Sequence, residues 1–237
     1  MREHGHSQQE IETRLAAPPS RGYLRDVVYG AIDGSVTTFA IVAGVAGAGL
    51  SPFVIVALGI ANVLADGFSM AAGNYSGTKA EADNARRLRR VEERHIASEP
   101  AGERRELRQI LANMGLEGDI LEQATDSIAL KRESWIDLMM EREYGVSPSD
   151  PAPFRAALAT FLAFLAAGLV PLLPFMLGVA DAFRLSVAMT LATFFGIGAF
   201  KSRWSLSAWW RSGAETLAIG GTAAGIAYLV GSLFNAG

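Results

Sequence analysis

The chain has 237 residues, half of them hydrophobic and only 19% charged, against about a quarter charged in soluble domains. That balance argues against an ordinary soluble enzyme, and no enzymatic activity is expected. A net charge of −3 offers no basic footprint for nucleic acid. With no cysteine, disulfides, thiolate zinc sites and cysteine nucleophiles are excluded. Any metal must be held by carboxylate, imidazole, thioether or backbone oxygen. Residues 76–153 carry 28 of the 45 charged side chains, so two different materials share one chain.

Residues 1–22 read as a polar N-terminal tail in which His4 and His6 are incidental. A bilayer core takes about 20 mostly apolar helical residues, and five stretches qualify: 27–48, 52–75, 154–177, 182–200 and 212–234. The expected fold class is therefore all-α, a polytopic membrane protein with five transmembrane helices. Spans one and two lie in 23–75, spans three to five in 154–237, and a small cytoplasmic helical domain occupies 76–153 between them. Span one follows 26 polar residues and leads directly into span two, which is not the layout of a cleaved signal peptide.

Two acids interrupt the apolar runs: Asp33 in Gly-Ala-Ile-Asp-Gly-Ser and Asp66 in Ala-Asp-Gly-Phe-Ser-Met. Facing lipid, each would cost several kcal/mol, and intramembrane acids mark ion paths by default. The plainer alternative is that each caps a broken helix or bonds a neighbouring hydroxyl. Glycine beside both favours close helix approach or local unwinding. Span three, with Pro171 and Pro174 and no ionisable group after Arg155, reads as scaffold.

The polar insert divides into helices at 76–98, 101–114, 118–130 and 131–144, with stops at Pro100, Gly115 and Gly145. Glu92 and His95 are three apart, as are Glu103 and Glu106, and Met139, Met140 and Glu143 fall within about one turn. Three helices would thus present their sets toward one metal. The plain reading is a solvated Glu/Arg face laced by ion pairs, with both methionines as core beside Trp135 and Leu138.

Orientation follows from Lys and Arg. Arg2, Arg14, Arg21 and Arg25 precede span one, twelve basic residues lie in 76–153, and Lys201, Arg203 and Arg211 separate spans four and five. All fall on one side, which places the N-terminus and the insert in the cytoplasm and the C-terminus outside.

The segments LRDVVYGAIDGSVTTFAIVAG, ADGFSMAAGNYSGTKAE, WIDLMMEREYGV and AFKSRWSLSAWWRSGAETLAIGGTAAGIAYLVG resemble the vacuolar iron transporter family from about residue 22 onward. The resemblance implies export of cytosolic ferrous iron, and manganese, in exchange for protons, by a homodimer with one path between its two first spans. It implies ion ligands at Asp33 and Met70, and cytoplasmic metal ligands at Glu92, Glu103, Glu106, Met139, Met140 and Glu143. A carboxylate with a thioether suits a borderline cation such as Fe2+ better than calcium or magnesium; Mn2+, Zn2+ and Co2+ are the further ions expected.

Two positions depart from the family pattern. His95 stands where glutamate is common, which keeps a ligand but makes affinity pH-sensitive near neutrality. Asn74 stands where an acid is frequent, which shifts attention to Asp66 as a proton-handling group. No cofactor is expected; the partners are a second copy, divalent ions, protons and the bilayer. The composition points to a prokaryotic plasma membrane; in a eukaryote the same topology would fill a vacuole. The competing readings are a membrane-anchored iron buffer or sensor, in which the buried acids have no purpose, and a di-iron oxidase, which needs a second Glu-x-x-His that the chain lacks.

Overall fold

The structure is a computed structural model and describes residues 5–16, 22–146 and 152–233. His4, Arg2, Arg21 and the last four residues lie outside the described residues, as do 147–151 at the end of the insert. The chain is an all-α polytopic membrane protein: five helices are long and apolar enough to cross a membrane, and no strand occurs among the described residues. It divides into two compact units, one built from 22–77 and 152–233, the other from 78–146 together with the N-terminal segment.

The first helix, α1 (Gln8–Ala16), lies in the stretch expected to be tail alone. Its start is a reciprocal capping box. The Ser7 amide donates to Glu10 Oε2 at 3.2 Å and the Glu10 amide donates to Ser7 Oγ at 3.4 Å, satisfying two donors that a helix start otherwise leaves open.

In the membrane unit, α2 (Leu24–Gly47) packs against α7 (Pro153–Leu169), α9 (Ala182–Lys201) and α10 (Trp209–Leu233). The span-three region continues past α7 through a 3-10 turn, Val170–Leu172, into the short α8 (Leu173–Met176). Pro171 has no N–H for the helical ladder, so the tighter turn forms there. Ser186 of α9 donates to the Pro171 carbonyl at 2.7 Å and ties the bend in place. The core gathers Phe39, Val42, Ala43, Ile55, Val63 and Leu172.

Neither acid-bearing span is broken. α2 is continuous through Asp33, and α3 (Pro52–Ser98) is a single helix of 47 residues through Asp66 and on into the charged insert. The unwinding considered for the glycines does not occur; the glycines of α2 serve close approach. A Cβ on Gly30 would stand 2.3 Å from the Thr160 carbonyl oxygen, and one on Gly34 would stand 2.4 Å from that of Phe164. Helices in lipid associate by such backbone-level packing. Gly34→Leu is therefore expected to force α2 from α7 at a cost of at least about 1–3 kcal/mol, the usual cost of overpacking. Thermal unfolding in detergent reads it, with Gly221→Ala, whose Cβ meets nothing within 4 Å, unchanged.

The second unit contains the charged half of α3, α4 (Pro100–Asn113), α5 (Gly118–Ala129) and α6 (Arg132–Arg142). Their core is Leu107, Leu111, Leu121, Trp135 and Met139. Gly145 ends α6 with φ of 65°, a left-handed cap that glycine adopts without Cβ strain, and the Val146 amide closes onto the Met140 carbonyl at 3.0 Å.

Candidate metal sites

Within the membrane unit a line of polar residues follows each of the first two spans. On α3, Asn62, Asp66, Met70 and Asn74 recur every four residues and so form one stripe; on α2, Asp26, Asp33 and Thr37 form another. The helices run antiparallel and the stripes meet. Asn74 Nδ2 lies 2.9 Å from Asp26 Oδ1, 2.7 Å from Thr160 Oγ1 and 3.2 Å from the Ala156 carbonyl. At the other end Asn62 Nδ2 donates to Thr37 Oγ1 at 3.4 Å, while Thr37 donates to the Asp33 carbonyl at 2.8 Å. Between them the Asp33 and Asp66 carboxylates are close enough to feel each other's charge. From Asp26 to Thr37 the seam covers about 16 Å at 1.5 Å per helical residue.

The seam is not uniformly covered. Asp26 is only 3% exposed, and its Oδ2 has no hydrogen-bond partner among the described residues. Asp33 and Met70 are half-buried, and Asp66 is exposed on the flank of α3. Asp26, Thr37 and Asn62 escaped the sequence reading. Asp26 falls one residue before the expected start of span one, where an acid in a first helical turn is ordinary. Thr37 and Asn62 are neutral and do not stand out in an apolar run, although the four-residue spacing of Asn62, Asp66 and Met70 is a signal the sequence contains.

In the second unit most ion pairs are peripheral. Arg89 bridges α3 to α6 through Asp137 at 2.7 Å and through Glu133. Arg104 reaches Asp126 and Arg108 reaches Glu122, each at 2.6 Å, joining α4 to α5. The solvated, ion-paired face expected as the plain reading is thus real for these acids. It does not extend to Glu92, Glu106 and Glu143, which have no Lys or Arg partner among the described residues.

Glu92 is fully buried and Glu103 is 5% exposed, yet one oxygen of each, Glu92 Oε1 and Glu103 Oε2, has no hydrogen-bond partner among the described residues. A buried carboxylate oxygen without a partner is costly, and two adjacent buried carboxylates call for a shared proton or a cation. Burial first, then a hydrogen bond shared with Glu103 and the charges of Glu103 and Glu143, push Glu92 up to about 8; the hydroxyl of Tyr144, donating at 3.3 Å, works against this. Burial also raises Glu143; the Tyr144 hydrogen bond opposes that, the charges of Glu106 and Glu103 add to it, and His95 lowers it. His95 Nδ1 stands 3.4 Å from Glu103 Oε1 at the exposed rim. Tyr144, which the sequence reading passed over, is raised by burial and by Glu143 and Glu92.

The sequence-predicted residues therefore divide. Glu92, His95, Glu103, Glu106 and Glu143 share one electrostatic neighbourhood. Met139 packs in the apolar core, and Met140 is buried. As they stand, no three His, Asp or Glu side chains among the described residues are gathered tightly enough to hold an ion, so chelation here requires side-chain closure.

Continuous spans carrying facing acids, with a separate helical unit whose buried Glu92 has no Lys or Arg partner among the described residues, define an ion-handling membrane protein. The chain belongs to the VIT family, whose model matches residues 24–232. It is 34% identical over 208 residues to vacuolar iron transporter 1 of Arabidopsis thaliana, covering 86% of this chain and 83% of that protein. It is 35% identical over 208 residues to vacuolar iron transporter 1 of Eucalyptus grandis, covering 86% and 84%. With the vacuolar iron transporter of Toxoplasma gondii it shares 32% identity over 228 residues, covering 91% and 76%.

Proposed function

We propose that this protein carries ferrous iron, and manganese, across the membrane out of the cytoplasm in exchange for protons, and that it does so as a homodimer. The observation that carries the reading is the polar seam between α2 and α3. Asp33 and Met70 are the ion ligands, a hard and a soft donor suited to a borderline cation, and Asp66 is the neighbouring acid available to exchange a proton. Relatives named vacuolar iron transporters support the cargo. A buffer or sensor anchored in the membrane has no use for acids in its spans, whose burial there is expensive.

The N-terminus and the insert face the cytoplasm, on the evidence of the basic residues flanking the spans, and the C-terminus lies outside, in a plasma membrane of prokaryotic type. Carboxylates of the insert, Glu92, Glu103, Glu106 and Glu143, with His95, Met139 and Met140, collect the ion before it enters the spans. Uptake of Fe2+ and Mn2+ into proteoliposomes, with and without a pH gradient, tests the whole reading. Metal flux indifferent to the gradient would remove the exchange, and no flux would remove transport.

The exposure of Asp66 supports the homodimer reading. A second copy seated on α3 covers this acid and doubles a ligand set too small for a partly dehydrated ion. Because the chain has no cysteine, Ser69→Cys, exposed on α3 beside the seam, is expected to crosslink to a dimer with a short bismaleimide. Leu229→Cys, exposed on α10, should remain monomeric on the same gel. The reverse pattern would move the interface away from the seam.

A further inference from the structure

A groove of about 330 Å³ separates α2 from α9 at the end of the spans where α2 begins and α9 finishes. Val27, Val28 and Ala31 form one wall, and Gly196, Ile197 and Phe200 the other. Its one side-chain hydroxyl, on Thr193, donates its proton to the Met189 carbonyl at 2.8 Å, so the side chains of the lining offer no free donor and are otherwise apolar. Gly196 lies in the lining, and a Cβ built there meets open space, with no atom within 4 Å.

The mouth has the opposite character. The Arg203 guanidinium lies 5.8 Å from the centre of the Phe200 ring, and Trp204 meets the same ring edge-on at 5.0 Å. Arg25 and Arg211, at the same end of the spans, lie over Tyr29 at 5.7 Å and Trp210 at 5.1 Å. None of the three arginines has a carboxylate partner among the described residues, whereas neighbouring Lys201 is paired with Glu215 at 3.7 Å.

We propose that this groove holds an acyl chain of an anionic phospholipid whose phosphate is engaged by Arg203, within the positive field of Arg25 and Arg211. An apolar slot with unneutralised cations at one end matches a molecule with a long apolar chain and a negative head. A neutral lipid uses the slot and wastes the charge; free phosphate uses the charge and leaves the slot empty. Arginines over aromatic rings at the membrane interface keep their heads at phosphate level while their stems lie on apolar surface, and anionic lipid concentrates in the cytoplasmic leaflet. The leaflet assignment rests on the orientation proposed above, but the binding itself does not.

The test uses the full chain in mild detergent, incubated with equal amounts of phosphatidylglycerol and phosphatidylcholine of identical chains, with bound lipid read by native mass spectrometry. Phosphatidylglycerol should be retained about fivefold over phosphatidylcholine, the preference that one interfacial arginine confers. Arg203→Gln should bring the two close to parity. Gly196→Leu, which fills the groove, should lower retention of both lipids, and the smaller Gly196→Ala should do so in part. Equal retention of both lipids by the unmodified chain overturns the proposal, as does full retention by a folded Gly196→Leu variant. Inorganic phosphate competing as well as the lipid would make this an anion site without a chain. A change of oligomeric state in Gly196→Leu would make the groove an interface between copies. Because no metal flux is measured, these outcomes are independent of whether the protein transports iron.

Discussion

Replacing Asp33 with alanine is expected to abolish metal flux while leaving the protein folded and assembled. The carboxylate sits half-buried midway along the polar seam, next to the charge of Asp66. Among the described residues its side chain makes no hydrogen bond to another element: the hydrogen bond at this position is accepted from Thr37 by the backbone carbonyl, which survives the substitution. The variant therefore loses a charge without leaving a buried donor orphaned, and the unfolding transition in detergent should move little. The ion, by contrast, loses its hard ligand in a low-dielectric path where water does not substitute freely. Loss of a mere outer partner of a metal site costs about 10–100-fold in affinity, and loss of a direct ligand should cost more. Met70→Ala is expected to reduce flux less, since a thioether carries no charge. Asp66→Asn should uncouple flux from the pH gradient more than it slows the ion. Proteoliposome uptake of Fe2+ and Mn2+ distinguishes these cases, and an Asp33→Ala protein that moved either ion at the normal rate would place the path elsewhere.

Much of this architecture is legible in the sequence because the bilayer imposes a simple rule. Apolar runs of the right length gave five spans, and α2, α3 and α9 begin or end within a few residues of the expected limits. The stops in the insert were equally readable, since Gly115 and Gly145 adopt positive φ and Pro100 opens α4. What the sequence conceals is pairing between helices. Asn62, Thr37 and Asp26 acquire meaning only when α2 and α3 lie side by side. Local spacing likewise cannot separate an acid on a solvated face from one driven inward. Glu92 and Glu93 are adjacent, yet Glu93 meets Arg89 at 3.5 Å while Glu92 is fully buried with an unpartnered oxygen. The helix-phase difference of about 100° between neighbours decides which is which, and only the packing of α4 and α6 fixes the phase. The capping box at Ser7 and Glu10 opens a segment that is polar throughout, so no apolar periodicity marks the helix it starts.

The buried pair in the insert carries the second large expectation, a pH-dependent exchange of protons for metal. Glu92 is pushed up to about 8, with burial the first cause and Glu103 the second, so at neutral pH the folded unit holds a proton that an unfolded chain has released. Stability conferred by that proton is fully present below the ordinary carboxylate range and is lost as pH rises from about 4.5 toward 8. The metal-free unit should weaken across that window by on the order of a few kcal/mol, and Glu92→Gln should flatten the loss and be the more stable variant at pH 8. Hydrogen exchange of residues 78–146 in the full chain, with no metal added, measures this directly. A divalent ion replaces the proton as counter-charge for Glu92 and Glu103, so its affinity should climb with pH up to about 8 and one proton should leave for each ion bound near neutrality. Changing Glu92, Glu103, Glu106 and Glu143 together to glutamine should remove binding at this unit and slow transport, while some flux persists through Asp33 and Met70. Calorimetry in two buffers of different protonation enthalpy reads the proton count. An unmodified protein that bound Fe2+ or Mn2+ with pH-independent affinity, or a fourfold variant that bound them as well as before, would return these acids to a structural role.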